Sequence, residues 1–256
     1  TFYSRLLAQG EFCKSDCANI RLFVSGSAPL TTEVFAAFAA RSGHKILERY
    51  GMSEAGMIAS NPLHGERIAG TVGYPLPGVE IRIRGEDGNL HSAGDTGGVE
   101  VRGPNVFKGY WQNTQKTEEE FCDDGFFKTG DVGTLDTSGR LTLVGREKDL
   151  IISGGYNIYP KEIEQILDTI PGIEESAVIA APHADMGEGV VAVLVPEAGA
   201  TLDSLAIEDA MRRDLAGFKR PRHIDIVTAL PRNSMGKVQK NQLRDTHADV
   251  FQSKTS

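Results

Sequence analysis

Nothing in this sequence approaches the ~18-residue apolar run that a membrane-spanning helix needs, and no membrane association is expected. Cysteine is scarce: only Cys13, Cys17 and Cys122 occur. Three is an odd number and the spacing fits no metal-ligand pattern, so neither a disulfide framework nor a zinc site follows. Free thiols in a reducing cytoplasm are the simpler reading. The opening residues, Thr1-Phe2-Tyr3-Ser4-Arg5, contain neither an initiator Met nor a signal-peptide pattern, and they read as a chain entered mid-fold. Internal repeats and low-complexity tracts are lacking. Positive charge is in deficit, with 27 Lys and Arg against 35 Asp and Glu, a net of −8. That balance argues against a nucleic-acid partner.

What is present is an ordinary globular composition, 40% hydrophobic and 24% charged over 256 residues, enough for one large domain or two smaller ones. The charge is unevenly placed. From Arg212 to Arg244, nine Lys or Arg stand against two Asp, a local balance of +7. A basic end on an acidic chain suits a small polyanionic ligand, because local field rather than net charge attracts it. A solvated helix face is the plainer alternative.

Residues 20–24 are a short apolar run ending in Ser25-Gly26-Ser27, which predicts a buried strand entering a tight turn. Residues 31–41 carry Val34, Phe35, Phe38 and Ala39 as a helical stripe stopped by Gly43. A second short strand at 45–47 leads into Tyr50-Gly51-Met52-Ser53-Glu54. From 70 to 143 the pattern changes to short strands at 79–84, 99–102 and 141–144, with turn sequences at 86–89 and 136–139. This predicts a mainly β subdomain. Beyond residue 147 a strand at 150–152 precedes a helix at 160–170, with Ile163, Ile166, Leu167 and Ile170 on one face and Pro160 in its first turn. Strands at 176–181, 190–195 and 224–227 and helices at 202–215 and 238–251 follow. Such a set around one small sheet makes a self-contained domain, and the expected division is 1–147 and 148–256.

Several segments are richer in glycine and polar groups than packing requires. Ser25-Gly26-Ser27-Ala28-Pro29 follows a strand, where small residues let a flat ligand approach backbone; taken alone, a structural turn is the plainer reading. Tyr50-Gly51-Met52-Ser53-Glu54 groups an aromatic face, a hydroxyl and a carboxylate, a set able to stack a base, bond a phosphate and hold Mg²⁺. Phe126-Phe127-Lys128-Thr129-Gly130-Asp131 presents one carboxylate after a tight Thr-Gly turn, placed to accept both hydroxyls of a ribose, although Asp beside Gly is ordinarily a turn former. The longest segment is Gly145-Arg146-Glu147-Lys148-Asp149-Leu150-Ile151-Ile152-Ser153-Gly154-Gly155-Tyr156-Asn157-Ile158-Tyr159-Pro160. Near the end comes Leu230-Pro231-Arg232-Asn233-Ser234-Met235-Gly236-Lys237-Val238, where a lysine follows a flexible loop.

In this order and spacing, these five segments resemble the adenylate-forming family of acyl-CoA synthetases, luciferases and peptide-synthetase adenylation domains. The resemblance covers the whole chain and matches the last half of a family member. It implies an α/β fold with a mixed β subdomain: the end of the large N-terminal domain, holding ATP and the acid, plus a small, mobile α+β C-terminal domain. It also implies the activity, in which a carboxylate attacks the α-phosphate of ATP and a thiol then displaces AMP. Gly26, Ser27 and Ala28 would line the adenine, with Tyr50, Gly51 and Met52 beside it. Ser53, where the family usually has Thr, would meet the α-phosphate. Glu54 would hold Mg²⁺, Asp131 the ribose, and Arg146 the ribose or phosphate region. Lys237 corresponds to the catalytic lysine of adenylation and to a target for a regulatory lysine acetyltransferase. Lys148 falls at the hinge on which the small domain swings between two reaction poses. Gly154 and Gly155 would line the thiol tunnel, while Phe218, Arg220 and Arg222 would bind the CoA nucleotide.

The family's Ser/Thr/Gly-rich phosphate loop has no counterpart here, and Gly236-Lys237 lacks the earlier glycine of a Walker loop. These 256 residues alone are therefore not expected to adenylate anything. Within the family, Leu47-Glu48-Arg49-Tyr50-Gly51-Met52-Ser53-Glu54, Gly103-Pro104-Asn105-Val106-Phe107-Lys108-Gly109-Tyr110-Trp111 and Pro231-Arg232-Asn233-Ser234-Met235-Gly236-Lys237-Val238-Gln239-Lys240 are most similar to malonyl-CoA synthetases. A dicarboxylate needs a cation for its second carboxylate, and Arg49 is the candidate, with an ion pair to Glu48 or Glu54 as the alternative. A medium- or long-chain fatty acyl-CoA synthetase, a carrier-loading adenylation enzyme and a non-catalytic binding module are the other readings.

Overall fold

The structure, a computed structural model, describes residues 2–26, 30–234 and 236–252. It divides into two compact units, Thr1–Val144 and Gly145–Ser256. Among the described residues no helix is long and apolar enough to cross a membrane.

In the first unit, helix α1 (Phe2–Leu7) precedes strand β1 (Val24–Ser25) and helix α2 (Thr32–Ser42). Helix α2 has the ends its sequence demands. The Thr31 hydroxyl accepts from the Val34 amide, and Gly43 closes the helix at φ +76°, a conformation that costs an L side chain more than glycine. Phe35 and Phe38 bury its apolar face with Tyr3, Leu30 and Ile46. Strands β2 (Leu47–Met52), β3 (Gly56–Ser60) and β4 (Tyr74–Pro75) complete a four-stranded sheet in the order β1-β2-β3-β4. Strands β5 (Glu80–Arg84) and β6 (Gly97–Arg102), helix α3 (Thr114–Glu120), and strands β7 (Phe127–Leu135) and β8 (Leu141–Arg146) follow. The four strands form a second sheet in chain order. Tyr50, Ile58, Val99, Phe127 and Leu141 pack the two sheets of this unit together.

Three expectations for this unit need correction. The apolar run at 20–24 is not a buried strand: strand pairing begins only at Val24, with Val24 and Ser25 opposite Leu47 and Glu48, and Ile20 is exposed. The strand expected at 45–47 instead runs through Met52, so Tyr50, Gly51 and Met52 lie within β2. Thr129-Gly130-Asp131 is no turn between elements but a bulge inside β7. The register against β6 shifts between Gly98 and Glu100, and Gly130 takes φ +67°, the left-handed glycine that such bulges use.

In the second unit, β9 (Ile151–Ser153) and β10 (Tyr156–Ile158) form a hairpin, and α4 (Pro160–Leu167) leads to the long antiparallel pair β11 (Ile173–His183) and β12 (Gly187–Pro196). Helix α5 (Ser204–Asp214), strand β13 (His223–Ile226), parallel to β12, and helix α6 (Lys240–Thr246) complete it. Both faces of the β11/β12 pair are covered. Val178, Val190, Ala192 and Leu194 pack with Ile163, Leu167, Ile207 and Met211 of α4 and α5, whereas Ala177, Ile179, Val191 and Val193 pack with Leu230 and Leu243. Two-sided burial explains why these strands read as continuous apolar runs. The helix expected at 160–170 stops at Leu167, since Ile170 precedes Pro171 and is pushed out of the helical region. The helix expected at 238–251 is only Lys240–Thr246. Val238 pairs with Arg232 instead, and His247, buried against the Leu243 carbonyl and Asp225, ends it.

Candidate functional site

Ser27 and Ala28 lie outside the described residues. Gly26 follows β1, and a Cβ there would meet the Arg49 carbonyl oxygen and Cγ at 3.3 Å. Gly51 has a stricter packing reason: a Cβ would lie 2.2 Å from the Gly56 carbonyl oxygen, across the register shift of the β2/β3 hairpin.

Two separate segments meet in this unit. The Tyr50 hydroxyl donates a short hydrogen bond to Asp131 Oδ2, 81 residues away, and both side chains are buried. Asp131 is set by the β7 bulge, where its amide donates to Thr129 Oγ1 at 3.1 Å while that hydroxyl donates to the Val99 carbonyl at 2.8 Å. Ser53 and Glu54 occupy the turn between β2 and β3, Ser53 exposed and Glu54 half-buried. This turn is held by a segment whose role the motif reading missed. Asn105 Nδ2 donates to the Ala55 carbonyl at 2.6 Å, the Phe107 amide to the Glu54 carbonyl at 2.7 Å, and the Tyr110 hydroxyl to Glu54 Oε1 at 3.4 Å. Burial first, and then the Glu54 charge, push the Tyr110 hydroxyl above its ordinary pKa. Phe107 and Tyr110 also stand edge to face at 4.9 Å. The aromatic-glycine spacing of 103–111 was the available signal.

No group of three or more metal-ligating side chains exists among the described residues. Glu54 offers one carboxylate, which fits Mg²⁺ only where phosphate oxygens and water complete the shell rather than an all-protein cage. Arg49 projects from the face of β2 opposite buried Glu48. Among the described residues its guanidinium meets Met57 Sδ at 2.6 Å and makes no ion pair, so the expected alternative of a pair with Glu48 or Glu54 is not formed.

Arg146, the last residue of β8, and Lys148 are exposed, the latter in a single 3₁₀ turn, Glu147–Asp149. Gly154 and Gly155 are the turn of the β9/β10 hairpin, at φ +58° and +81°. Two successive left-handed residues are what a two-residue primed turn requires, so the glycines have a backbone reason of their own. Next to them, Tyr156 stacks on Phe218, with centroids 4.5 Å apart and planes at 24°.

Of the nine cations between Arg212 and Arg244, six are ion-paired: Arg212 with Glu208, Arg213 with Asp214, Lys219 with Glu162, Arg232 with Glu175, Lys240 with Glu164 and Arg244 with Asp149. The tract is therefore far less positive than its sequence count. Arg220, Arg222 and Lys237 have no carboxylate partner among the described residues. Arg220 donates to the carbonyls of Arg212 and Leu215 at 3.1 Å, capping the C-terminal end of α5 with a cation. Arg220, Arg222, His223 and Glu208 line a cleft of about 460 Å³ beside α5.

With this geometry in view, the chain matches the AMP-binding enzyme family over residues 1–111 and the AMP-binding enzyme C-terminal domain over residues 162–237. It belongs to the adenylate-forming, AMP-binding enzymes. Its relatives include a mitochondrial malonate–CoA ligase of Xenopus laevis, 38% identical over 95% of this chain and 47% of that protein. A long-chain-fatty-acid–CoA ligase of Yersinia pestis is 36% identical over 98% of this chain and 44% of its own length. Among solved structures, ATP-bound MatB from Rhodopseudomonas palustris superposes with a TM-score of 0.95 at 51% identity, covering 98% of this chain and 50% of the other. The chain thus spans less than half the length of these two curated relatives.

Proposed function

We propose that this chain supplies the C-terminal part of an AMP-forming acid–thiol ligase, which joins a carboxylic acid to coenzyme A through an acyl-adenylate, and that the acid is malonate. The observation that carries the class is the 51% identity over nearly all of the chain to an ATP-bound structure. Kinship with a malonate–CoA ligase at 38% identity and the exposed guanidinium of Arg49, which makes no ion pair among the described residues, favour a dicarboxylate, whose second charge would be costly to bury alone.

In this reading ATP lies against the first unit, with its base and ribose beside Tyr50 and Asp131 and its phosphates toward Ser53. Glu54 would hold Mg²⁺, which when bound neutralises phosphate charge. Adenylation joins two anions, the carboxylate and the α-phosphate, and Lys237 supplies the cation that lowers their repulsion. The thiol of CoA then attacks the acyl carbon and AMP leaves; Arg222, Arg220 and Phe218 are the groups proposed to hold the CoA nucleotide. Arg220 would do so with the nitrogen left over from its carbonyl contacts.

The similarity to a long-chain-fatty-acid–CoA ligase at 36% identity supports a second reading, a fatty acyl substrate. The deciding experiment offers malonate, methylmalonate, acetate and octanoate to the full-length gene product with ATP, Mg²⁺ and CoA, and measures kcat/KM by AMP release. Malonate is expected to lead. Preference for octanoate would replace the substrate assignment, and no activity with any acid would remove the class.

A further inference from the structure

Lys237 stands in a short hairpin loop whose ends are joined by an antiparallel bridge between Arg232 and Val238. Asn233 grips the Lys237 backbone twice. Its Oδ1 accepts the Lys237 amide at 2.9 Å, and its own amide donates to the Lys237 carbonyl at 3.0 Å. Gly236, one residue earlier, sits at φ +79° and donates its amide to the Asn233 carbonyl at 2.9 Å. The Gly236 carbonyl accepts from Arg232 Nη1 at 2.7 Å. The other terminal nitrogen of Arg232 is ion-paired to Glu175 on β11. One guanidinium therefore bridges the sheet of the second unit to the peptide group immediately before Lys237. Beyond the loop, Gln239 donates to the Pro231 carbonyl at 2.8 Å and Lys240 pairs with Glu164 of α4 at 2.6 Å.

The lysine side chain itself is exposed and has no ion pair among the described residues. A solvated surface lysine gains little from such anchoring, because its four-carbon stem is flexible and its charge fully hydrated. A lysine that must place its ammonium at one point gains a great deal, since about 1 Å of misplacement costs on the order of 100-fold in rate. We propose that Asn233 and Arg232 are positioning residues for Lys237, fixing its backbone against β11 so that its ammonium arrives at one place during adenylation. This rests on the reading of Lys237 as the adenylation cation.

The test uses the full-length gene product carrying Asn233→Ala, Asn233→Asp, Arg232→Ala and Lys237→Ala. Pyrophosphate release, thioester formation from isolated acyl-adenylate, and thermal unfolding are each measured. Asn233→Ala and Arg232→Ala should lower the kcat of adenylation roughly 10- to 100-fold, with the KM for ATP and acid within about twofold. Thioester formation and the unfolding temperature should be unchanged. Asn233→Asp keeps the acceptor and should retain most of the activity. The proposal is overturned if both alanine variants adenylate normally, or if both half-reactions fall together. Lys237→Ala separates the failures: normal adenylation by that variant removes the underlying reading as well, whereas its loss beside intact alanine variants removes only the positioning role.

Discussion

Asp149 and Arg244, 95 residues apart, are joined at 2.6 Å with both side chains largely buried. The pair pins the residue that follows Lys148 to helix α6. Lys148 itself, one residue earlier, is exposed and makes no ion pair among the described residues.

Lys148→Pro would fix φ near −65° and remove a backbone donor. If Lys148 is the hinge, this variant should suppress one half-reaction and leave the other largely intact. Arg244→Ala should impair the same half-reaction more mildly, since it frees Asp149 without locking a torsion. Each half-reaction is measured separately in the full-length gene product. Equal losses in both would mark a folding defect, and no loss would place the hinge elsewhere.

Asp131 and Tyr50 give a paired prediction. If Asp131 holds the ribose, as proposed, Asp131→Ala should weaken ATP binding by about 3 kcal/mol, roughly 100-fold in KM, through loss of two hydrogen bonds to a charged acceptor. Tyr50→Phe removes the hydroxyl donated to Asp131 but keeps the ring and the carboxylate. It should change ATP KM little and cost about 1 kcal/mol of stability. Equal KM effects from both would mean that Asp131 acts only through Tyr50.

The hairpin glycines separate backbone need from ligand access. Gly155 sits at φ +81° with open space where a Cβ would go. Asn tolerates that conformation better than other side chains, so Gly155→Asn should fold with a loss of only about 1 kcal/mol. If the thiol passes this turn, thioester formation should fall while adenylation persists. Thioester formation at the parental rate would leave Gly155 a turn residue alone.

Asp168 predicts a pH dependence of stability. Burial pushes its carboxyl up to about 6, opposed by the Ser176 hydroxyl, which donates at 2.7 Å, and reinforced by the charges of Glu164 and Glu175. The folded value lies above the ordinary one near 4. Its stabilising contribution is therefore complete below about pH 4 and lost as pH rises through about 6. Asp168→Asn mimics the protonated form. It should match the parent near pH 4 and exceed it by ~1–3 kcal/mol at pH 7.5 in urea unfolding. Parallel stability curves would show that Asp168 does not titrate in this range.

Local pattern was enough for much of the fold. The stripe at Phe35 and Phe38, the stop at Gly43, the apolar runs of β11 and β12 and the turns at 86–89 and 136–139 all lie within one element's reach. Contacts between distant segments were not legible. Nothing near Tyr50 indicates Asp131, and nothing near Lys219, Lys240 or Arg244 indicates the carboxylates at 162, 164 and 149. The bulge at Gly130 was misread because Thr-Gly-Asp suits a turn as well as a strand interior, and only pairing with β6 decides between them. Gly154-Gly155 between two apolar stretches was a legible hairpin signal. The resemblance drew attention to their possible ligand role instead.

The pairing of six out of nine cations with carboxylates changes what a dissolved polyanion would meet at this end of the molecule. Beyond a Debye length, about 8 Å at physiological salt, paired charges largely cancel, so the tract exerts little long-range pull. Attraction becomes a short-range matter of Arg220, Arg222 and Lys237, which have no carboxylate partner among the described residues and of which Arg220 is tied to the Arg212 and Leu215 carbonyls. A free polyphosphate or a nucleic acid would gain little there. A molecule whose phosphates match those places would be selected by fit instead of by field.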